Sequence, residues 1–360
     1  MQSGESSNRI AYFDHLRVLA MFLIMMLHAA SFCWYDISVR TGSWLILNAY
    51  KSLTDHAVLL FVMISGALFL GREVPIKKIY SKYVLRMVIA FIVWSLIYAI
   101  VSSYRWGLRA IFETTLASHY HLWFVPMIAG LYICLPILRK FVSSEKIIRY
   151  FLVVSFIFAF ALPTVLNLIS DFGTFQVSSY LGGLTLSDYA RFINDRLDEA
   201  KIYMVVGYAF YFIAGYYLHN MELNKKQRYI LYALGILSLV VTFAMTVLDT
   251  FHQGLPSDTY HYNFNIGVMF AAFAMFELFK NIIKGGDGWY SRLIGKLSKY
   301  SFGAYLIHAL VIEVLAMLGF TAVTFSPVLA VPVIGIITFA VSFAVSALLN
   351  KIPFINKYIV

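Results

Sequence analysis

Cysteine is almost missing from this sequence. Its 360 residues include two, Cys33 and Cys134, too few for a disulfide framework and no basis for a zinc site by themselves. The apolar pattern puts them near opposite membrane faces, so no bridge between them is expected. Charge is scarce as well. Only 13% of the residues are charged, 61% are hydrophobic and the mean hydropathy is +0.77, which excludes a soluble domain and requires many long apolar segments. The opening MQSGESSNRIAYFDHLR has neither the basic start nor the small-residue cleavage site of a secretory signal, and its apolar run outlasts a signal core, so the first helix is expected to stay. No Gly-x-Ser-x-Gly elbow, coiled-coil heptad, low-complexity tract, internal repeat or detachable soluble domain is visible. The prolines at 126, 136, 163, 327 and 332 do not fall at corresponding positions in two halves, which weighs against a transporter built from paired broken helices.

What is present is membrane sequence. An all-α polytopic protein is expected, a single unit over 1–360. Ten spans are predicted at about 10–33, 44–70, 83–103, 121–138, 147–168, 202–218, 229–249, 264–283, 301–320 and 328–349, each near the ~20 apolar residues that cross a bilayer. Acidic residues are few, 18 against 28 Lys and Arg, a net charge of +10. The basic residues cluster in alternate loops: Arg72, Lys77, Lys78 and Lys82; Arg139, Lys140, Lys146 and Arg149; Lys225, Lys226 and Arg228; and Lys280, Lys284, Arg292, Lys296 and Lys299. Those loops, and with them both termini, are expected on the cytoplasmic side of the membrane. The connections 250–262 and 321–327 have no Lys or Arg, and 170–200 mixes acids with Arg191 and Arg196. Charge split among short loops fits contact with anionic lipid and not a nucleic-acid surface.

The first span carries Asp14, Arg17 and His28 in an otherwise apolar run. At about 100° per residue, Arg17 and His28 leave the same helix face, with Asp14 within about 40° of it, and the Arg and His stand roughly 16 Å apart in depth. Ionisable groups on one face inside a membrane mark a functional site. A neutral imidazole can take a proton from a hydroxyl, and an unpaired carboxylate at that depth is costly, so Asp14 is expected to orient or neutralise Arg17. Arg86 enters at the inner end of the third span at a similar depth. Two guanidinium groups there would hold phosphate oxygens, whereas snorkelling accounts for Lys82 and Arg72.

Other polar positions are less decided. Packing suffices to explain Ser65-Gly66 in the second span, where Asp55-His56 lies further out. The run His119-Tyr-His121-Leu-Trp123-Phe124 opens the fourth span. Its histidines are two apart, a poor metal pair, and His121 and Trp123 either bind a sugar and shape the acyl site or form an interfacial belt. In the ninth span Ser301, Tyr305 and His308 share one face, as a site wall or as hydrogen-bond glue between helices.

Together, Asp14-x-x-Arg17 with His28 eleven residues after the Arg, the Phe61-to-Gly66 Ser-Gly stretch, His121-Leu-Trp123-Phe124 and Ser301-Phe-Gly-Ala-Tyr305-Leu-Ile-His308 resemble the acyltransferase-3 family of bacterial membrane acyltransferases over nearly the whole chain. The His-Leu-Trp-Phe-Val-Pro run most resembles the branch that O-acetylates surface polysaccharides, such as the enterobacterial common antigen acetyltransferase. The resemblance implies ten helices with cytoplasmic ends, acetyl-CoA or another acyl-CoA as donor, no metal, a glycan or lipid-linked sugar hydroxyl as acceptor, and an essential Arg and His, here Arg17 and His28. The esterase-like domain fused to some relatives is not expected, so the acyl group goes straight to the acceptor or to a separate protein. The candidate set is then His28, Arg17 and Asp14 for catalysis; Arg17, Arg86, Ser65, Tyr305 and Ser301 for acyl-CoA; and His121, Trp123, His119, His308 and His56 for the acceptor. Direct transfer with His28 as general base stands beside an acyl-His intermediate. The alternative from another class is a transporter or exporter of a polar solute or glycan.

Overall fold

The structure is a computed structural model and describes residues 9–175, 184–199, 202–286 and 288–360. The centre of the expected outer loop 170–200, residues 176–183, lies outside the described residues. The described residues form helices and no strand. Eight helical runs among them are long and apolar enough to cross a membrane, including Ala11–Trp34, Lys225–Gln253, Trp289–Met317 and Pro327–Leu349. The run Ile76–Ile133 holds the third expected span and most of the fourth, and the helix Ile202–Asn220 matches the sixth.

Several expected spans are interrupted, and prolines explain two of the breaks. Around Pro163 the helix Glu145–Ser155 passes through a π segment, Phe156–Ala161, before Leu162–Phe172. Proline cannot donate to the carbonyl four residues back, so the ladder slips by one. The span expected at 121–138 divides into Phe124–Ile133 and Leu135–Phe141, because Pro136 leaves the Tyr132 carbonyl without its helical donor. Between the third and fourth spans a short helix not expected from the sequence, Gly107–Ala117, exposes Trp106 and Leu108 at its start. The ninth span begins at Trp289 and not at 301, so Arg292, Lys296 and Lys299 are helical and not loop residues. Caps set other ends. Asn224 and Gln227 form a capping box before Lys225–Gln253, and Gly254, at φ 74°, ends that helix in the left-handed conformation.

The chain divides into two compact units interleaved in sequence. The first comprises residues 1–33, 73–134 and 276–360. In it, Trp289–Met317 packs on Pro327–Leu349. Gly303 makes that approach possible, since a Cβ there would strike the Ser346 hydroxyl, which donates to the Tyr300 carbonyl at 2.9 Å. Phe22 of the opening helix meets Phe339 edge-on at 5.9 Å, and Gly335 leaves room for Met26. Leu85–Ser103 is tied to the end of the chain by Trp94, whose Nε1 donates to the Ile359 carbonyl at 3.1 Å.

The second unit comprises residues 34–72 and 135–275. Its helices Ala57–Phe69 and Ile202–Asn220 cross at two glycines: a Cβ on Gly66 would enter the Phe212 backbone, and one on Gly215 the Met63 backbone. Small residues at a crossing let backbones approach where lipid supplies no hydrophobic drive. The span expected at 44–70 breaks at Asp55-His56 into Gly42–Thr54 and Ala57–Phe69.

Candidate functional site

Four imidazoles of the first unit meet. His28, from the opening helix, has its ring centroid 5.0 Å from that of His308 and 5.3 Å from that of Tyr120. His308 lies 5.0 Å from His121, and His121 lies 4.9 Å from His119. The positions come from three separate stretches. The 100° turn of the opening helix presents His28; the 3-10 turn Tyr120–Trp123, following extended His119, delivers both histidines of the His-Tyr-His run; and Trp289–Met317 supplies Tyr305 and His308. The Tyr305 hydroxyl donates to the His121 carbonyl, so the ninth-span stripe holds the turn in place.

The hydrogen bonds define which ring atoms are engaged. His308 Nδ1–H donates to the Tyr305 carbonyl at 2.5 Å, and His308 Nε2 is buried without a hydrogen-bond partner. His121 is 1% exposed; its Nδ1 faces His119 Nδ1 at 2.7 Å and its Nε2 is likewise unpartnered. His119 Nε2 reaches Glu313 at 2.7 Å, and Tyr98 stacks on the His119 ring at 4.2 Å. Two buried imidazole nitrogens without partners are unusual, because such a group forfeits hydration with nothing in return. They are suited to receive a donor that arrives with a substrate.

Arg17 and Asp14 lie on the same helix face as His28, as the periodicity requires. Asp14 is paired chiefly with Arg9, whose guanidinium sits in the space left by Gly295, while Arg17 stands 3.8 Å from the carboxylate. Asp14 therefore faces two cations, and its bond to Arg17 is the looser one. Arg86 donates to the Val360 main-chain oxygen, stands 5.3 Å from the Phe302 ring and has a buried Nε without a partner. Tyr132 lies within electrostatic reach of both Arg17 and Arg86. The two arginines thus border one region of the first unit, with donor capacity that fits an anionic group.

The remaining candidates divide. Ser301 is buried and donates to the Ser298 carbonyl of its own helix at 2.8 Å. Tyr305 engages the His121 carbonyl, so both residues act here as structure. Trp123 is 39% exposed and meets Phe124 edge-on at 6.3 Å, while Phe124 packs against Tyr305. Ser65 belongs to the second unit, beside the Gly66 crossing. So does His56, which is buried with neither ring nitrogen hydrogen-bonded.

Sequence reasoning passed over Glu313. Its signal was a lone carboxylate in the apolar stretch after His308, which is expensive unless paired. It also missed a network in the second unit. There His261 binds Asp55 through Nδ1 and Asn48 at 2.9 Å through Nε2. Nearby, Lys51 pairs with Asp258 at 2.9 Å, lies 4.2 Å from the Trp34 ring centroid, and shares Asp258 with the Tyr35 hydroxyl. Burial pushes the Asp258 carboxyl up, but Lys51 and the bonds from Tyr35 and Lys51 outweigh it and hold the group below the ordinary carboxylate range.

No curated protein and no solved structure matches the chain. The acyltransferase-3 family model, described as an acyltransferase domain, matches residues 10–347. That span includes Arg17, and it includes His28, the His-Tyr-His run and the Tyr305–His308 stripe, which together line the imidazole cluster. With that match, the chain belongs to the acyltransferase-3 family and is a membrane acyltransferase.

Proposed function

We propose that the protein moves an acyl group, acetyl foremost, from cytosolic acyl-CoA to a hydroxyl of a cell-surface glycan or its lipid-linked precursor in a bacterial inner membrane. The observation that carries this reading is the meeting of half-buried His28 with buried His308 and His121, His28 standing on the helix whose inner turns carry Arg17. Arg17 and Arg86 bind the donor's phosphates from the cytoplasmic side, for which the loosely held Arg17 and the orphaned Arg86 Nε are suited. The roughly 16 Å rise from Arg17 to His28 is the kind of reach an extended pantetheine arm covers, bringing the thioester beside the imidazoles.

His28 then takes the proton of the acceptor hydroxyl as its oxygen attacks the thioester carbonyl. The C–S bond breaks and the thiolate leaves with a proton returned from the imidazole. Asp14 keeps Arg9 and Arg17 in register at the entrance. Tyr120, edge-on to His28, and half-exposed Trp123 border the acceptor side, where aromatic faces suit sugar rings.

The test is acyl transfer by the purified protein in proteoliposomes, followed by mass spectrometry of the acceptor glycan. The reading requires labelled acyl to pass from acyl-CoA to the glycan and to stop passing in His28→Ala, with donor binding retained. Full transfer by His28→Ala overturns the assignment. Movement of unmodified glycan across the bilayer without acylation overturns the enzyme reading in favour of an exporter.

A further inference from the structure

Glu313, His119 and His121 form an unbroken chain of hydrogen bonds ending at a bare nitrogen. The Glu313 carboxylate accepts from His119 Nε2–H at 2.7 Å, and the two histidines share one proton between their Nδ1 atoms at 2.7 Å. With the His119 Nε2 proton committed to the carboxylate, a neutral His119 has its Nδ1 lone pair free to accept from His121 Nδ1–H. His121 Nε2 is then an unprotonated acceptor, buried and without a partner. The groups facing His121 are the side chains of His28, His308, His119, Tyr305, Tyr98 and Tyr120 and the main chain of Leu306, none of them a carboxylate. The nearest acid in the chain of contacts is Glu313, one imidazole away.

We infer that Glu313 and His119 are positioning residues of a proton relay that makes His121 Nε2 a second proton acceptor of the cluster. A proton taken up at His121 Nε2 releases the Nδ1 proton to His119 Nδ1, and the positive charge comes to rest on His119 against the Glu313 carboxylate. Charge then accumulates at a paired site instead of among bare imidazoles, which is where a low dielectric favours it. The inference rests on the acyl-transfer reading for its chemistry. In that setting the proton is the one His28 takes from the acceptor hydroxyl as the ester C–O bond forms. His28 passes it to His121 Nε2, and it returns by the same route through His28 to the departing thiolate as the C–S bond breaks.

Two measurements on the full-length protein test it. In protein labelled with 15N-histidine, long-range nitrogen–proton correlation NMR, with His121 assigned by the signals lost in His121→Gln, should show His121 protonated at Nδ1 and bare at Nε2. Glu313→Gln should move His121 toward the Nε2-protonated tautomer. In acyl transfer, Glu313→Gln should lower kcat by about 100-fold while leaving KM for acyl-CoA within about twofold, a split that loosened packing would not give. An Nε2-protonated His121 in the wild-type protein, a tautomer indifferent to Glu313→Gln, or an unchanged kcat overturns the relay. If Glu313→Gln does not fold, the wild-type tautomer still decides. A wild-type protein with the expected tautomer but no acyl transfer from any acyl-CoA supports the relay geometry and overturns the enzymatic reading instead.

Discussion

At the residue scale, His28 and Arg17 share a helix face, and the proposed acyl transfer gives them separable tasks, one near the reacting atoms and the other at the donor's charged end. Replacing His28 by Ala should cut kcat by about 10²- to 10⁴-fold, the usual worth of a positioned general base, and leave acyl-CoA binding by isothermal calorimetry within about twofold. Replacing Arg17 by Ala should do the reverse, weakening acyl-CoA binding by about tenfold or more, since a charge-assisted hydrogen bond contributes about 1.5–3 kcal/mol. Because Asp14 is held mainly by Arg9, Arg17→Ala should leave the helix folded. Arg9→Ala should instead leave Asp14 with only the 3.8 Å contact to Arg17, and lower thermal stability more than Arg17→Ala does.

At the scale of elements, the helices are shaped by a few backbone facts. The reciprocal glycines of the second unit, Gly66 and Gly215, meet Phe212 and Met63 main chain with no room for a methyl group. Gly66→Leu should therefore destabilise that unit by at least the ~1–3 kcal/mol of overpacking, read as a fall in melting temperature in detergent. The neighbouring Ser65→Ala should have little effect on it. The π segment before Pro163 offers a second case: with proline's missing donor restored in Pro163→Ala, Phe156–Ala161 should revert toward regular α-helix, visible in the structure of the variant. The 3-10 turn at Tyr120–Trp123 is held by the Tyr305 hydroxyl, so Tyr305→Phe should disorder the cluster without altering the apolar packing of the ninth span.

At the scale of the whole molecule, the two units carry different polar networks, four imidazoles in one and the Lys51–Asp258 and His261–Asp55 pairs in the other. Asp258 is held below its unfolded value, so its contribution to stability is fully present above the ordinary carboxylate pKa near ~3.9 and is lost as pH falls through the lowered folded value. The difference in melting temperature between wild type and Asp258→Asn should therefore persist at neutral pH and vanish in strong acid. A gap that stays constant with pH would show that Asp258 acts by shape and not by charge. The alternating basic loops make a further global prediction: cysteines placed at Lys77, Lys140 and Lys226 should react with a membrane-impermeant maleimide only in inverted vesicles.

Composition and pattern alone settled that the chain is a helical membrane protein, because apolar length in so many segments has no other physical outlet, and helical pitch alone put Arg17 and His28 on one face. The same pattern missed the breaks at Pro136 and Asp55-His56 and the early start at Trp289, since hydropathy records how apolar a stretch is and not where its backbone hydrogen bonds fail. Only the tertiary structure decided which imidazoles meet. His119 and His121 point apart on an ideal helix, yet a 3-10 turn tied to Tyr305 brings both to the cluster and gives His119 the carboxylate of Glu313 as a partner. Those contacts join residues nearly two hundred positions apart, and no local periodicity encodes a distance of that kind.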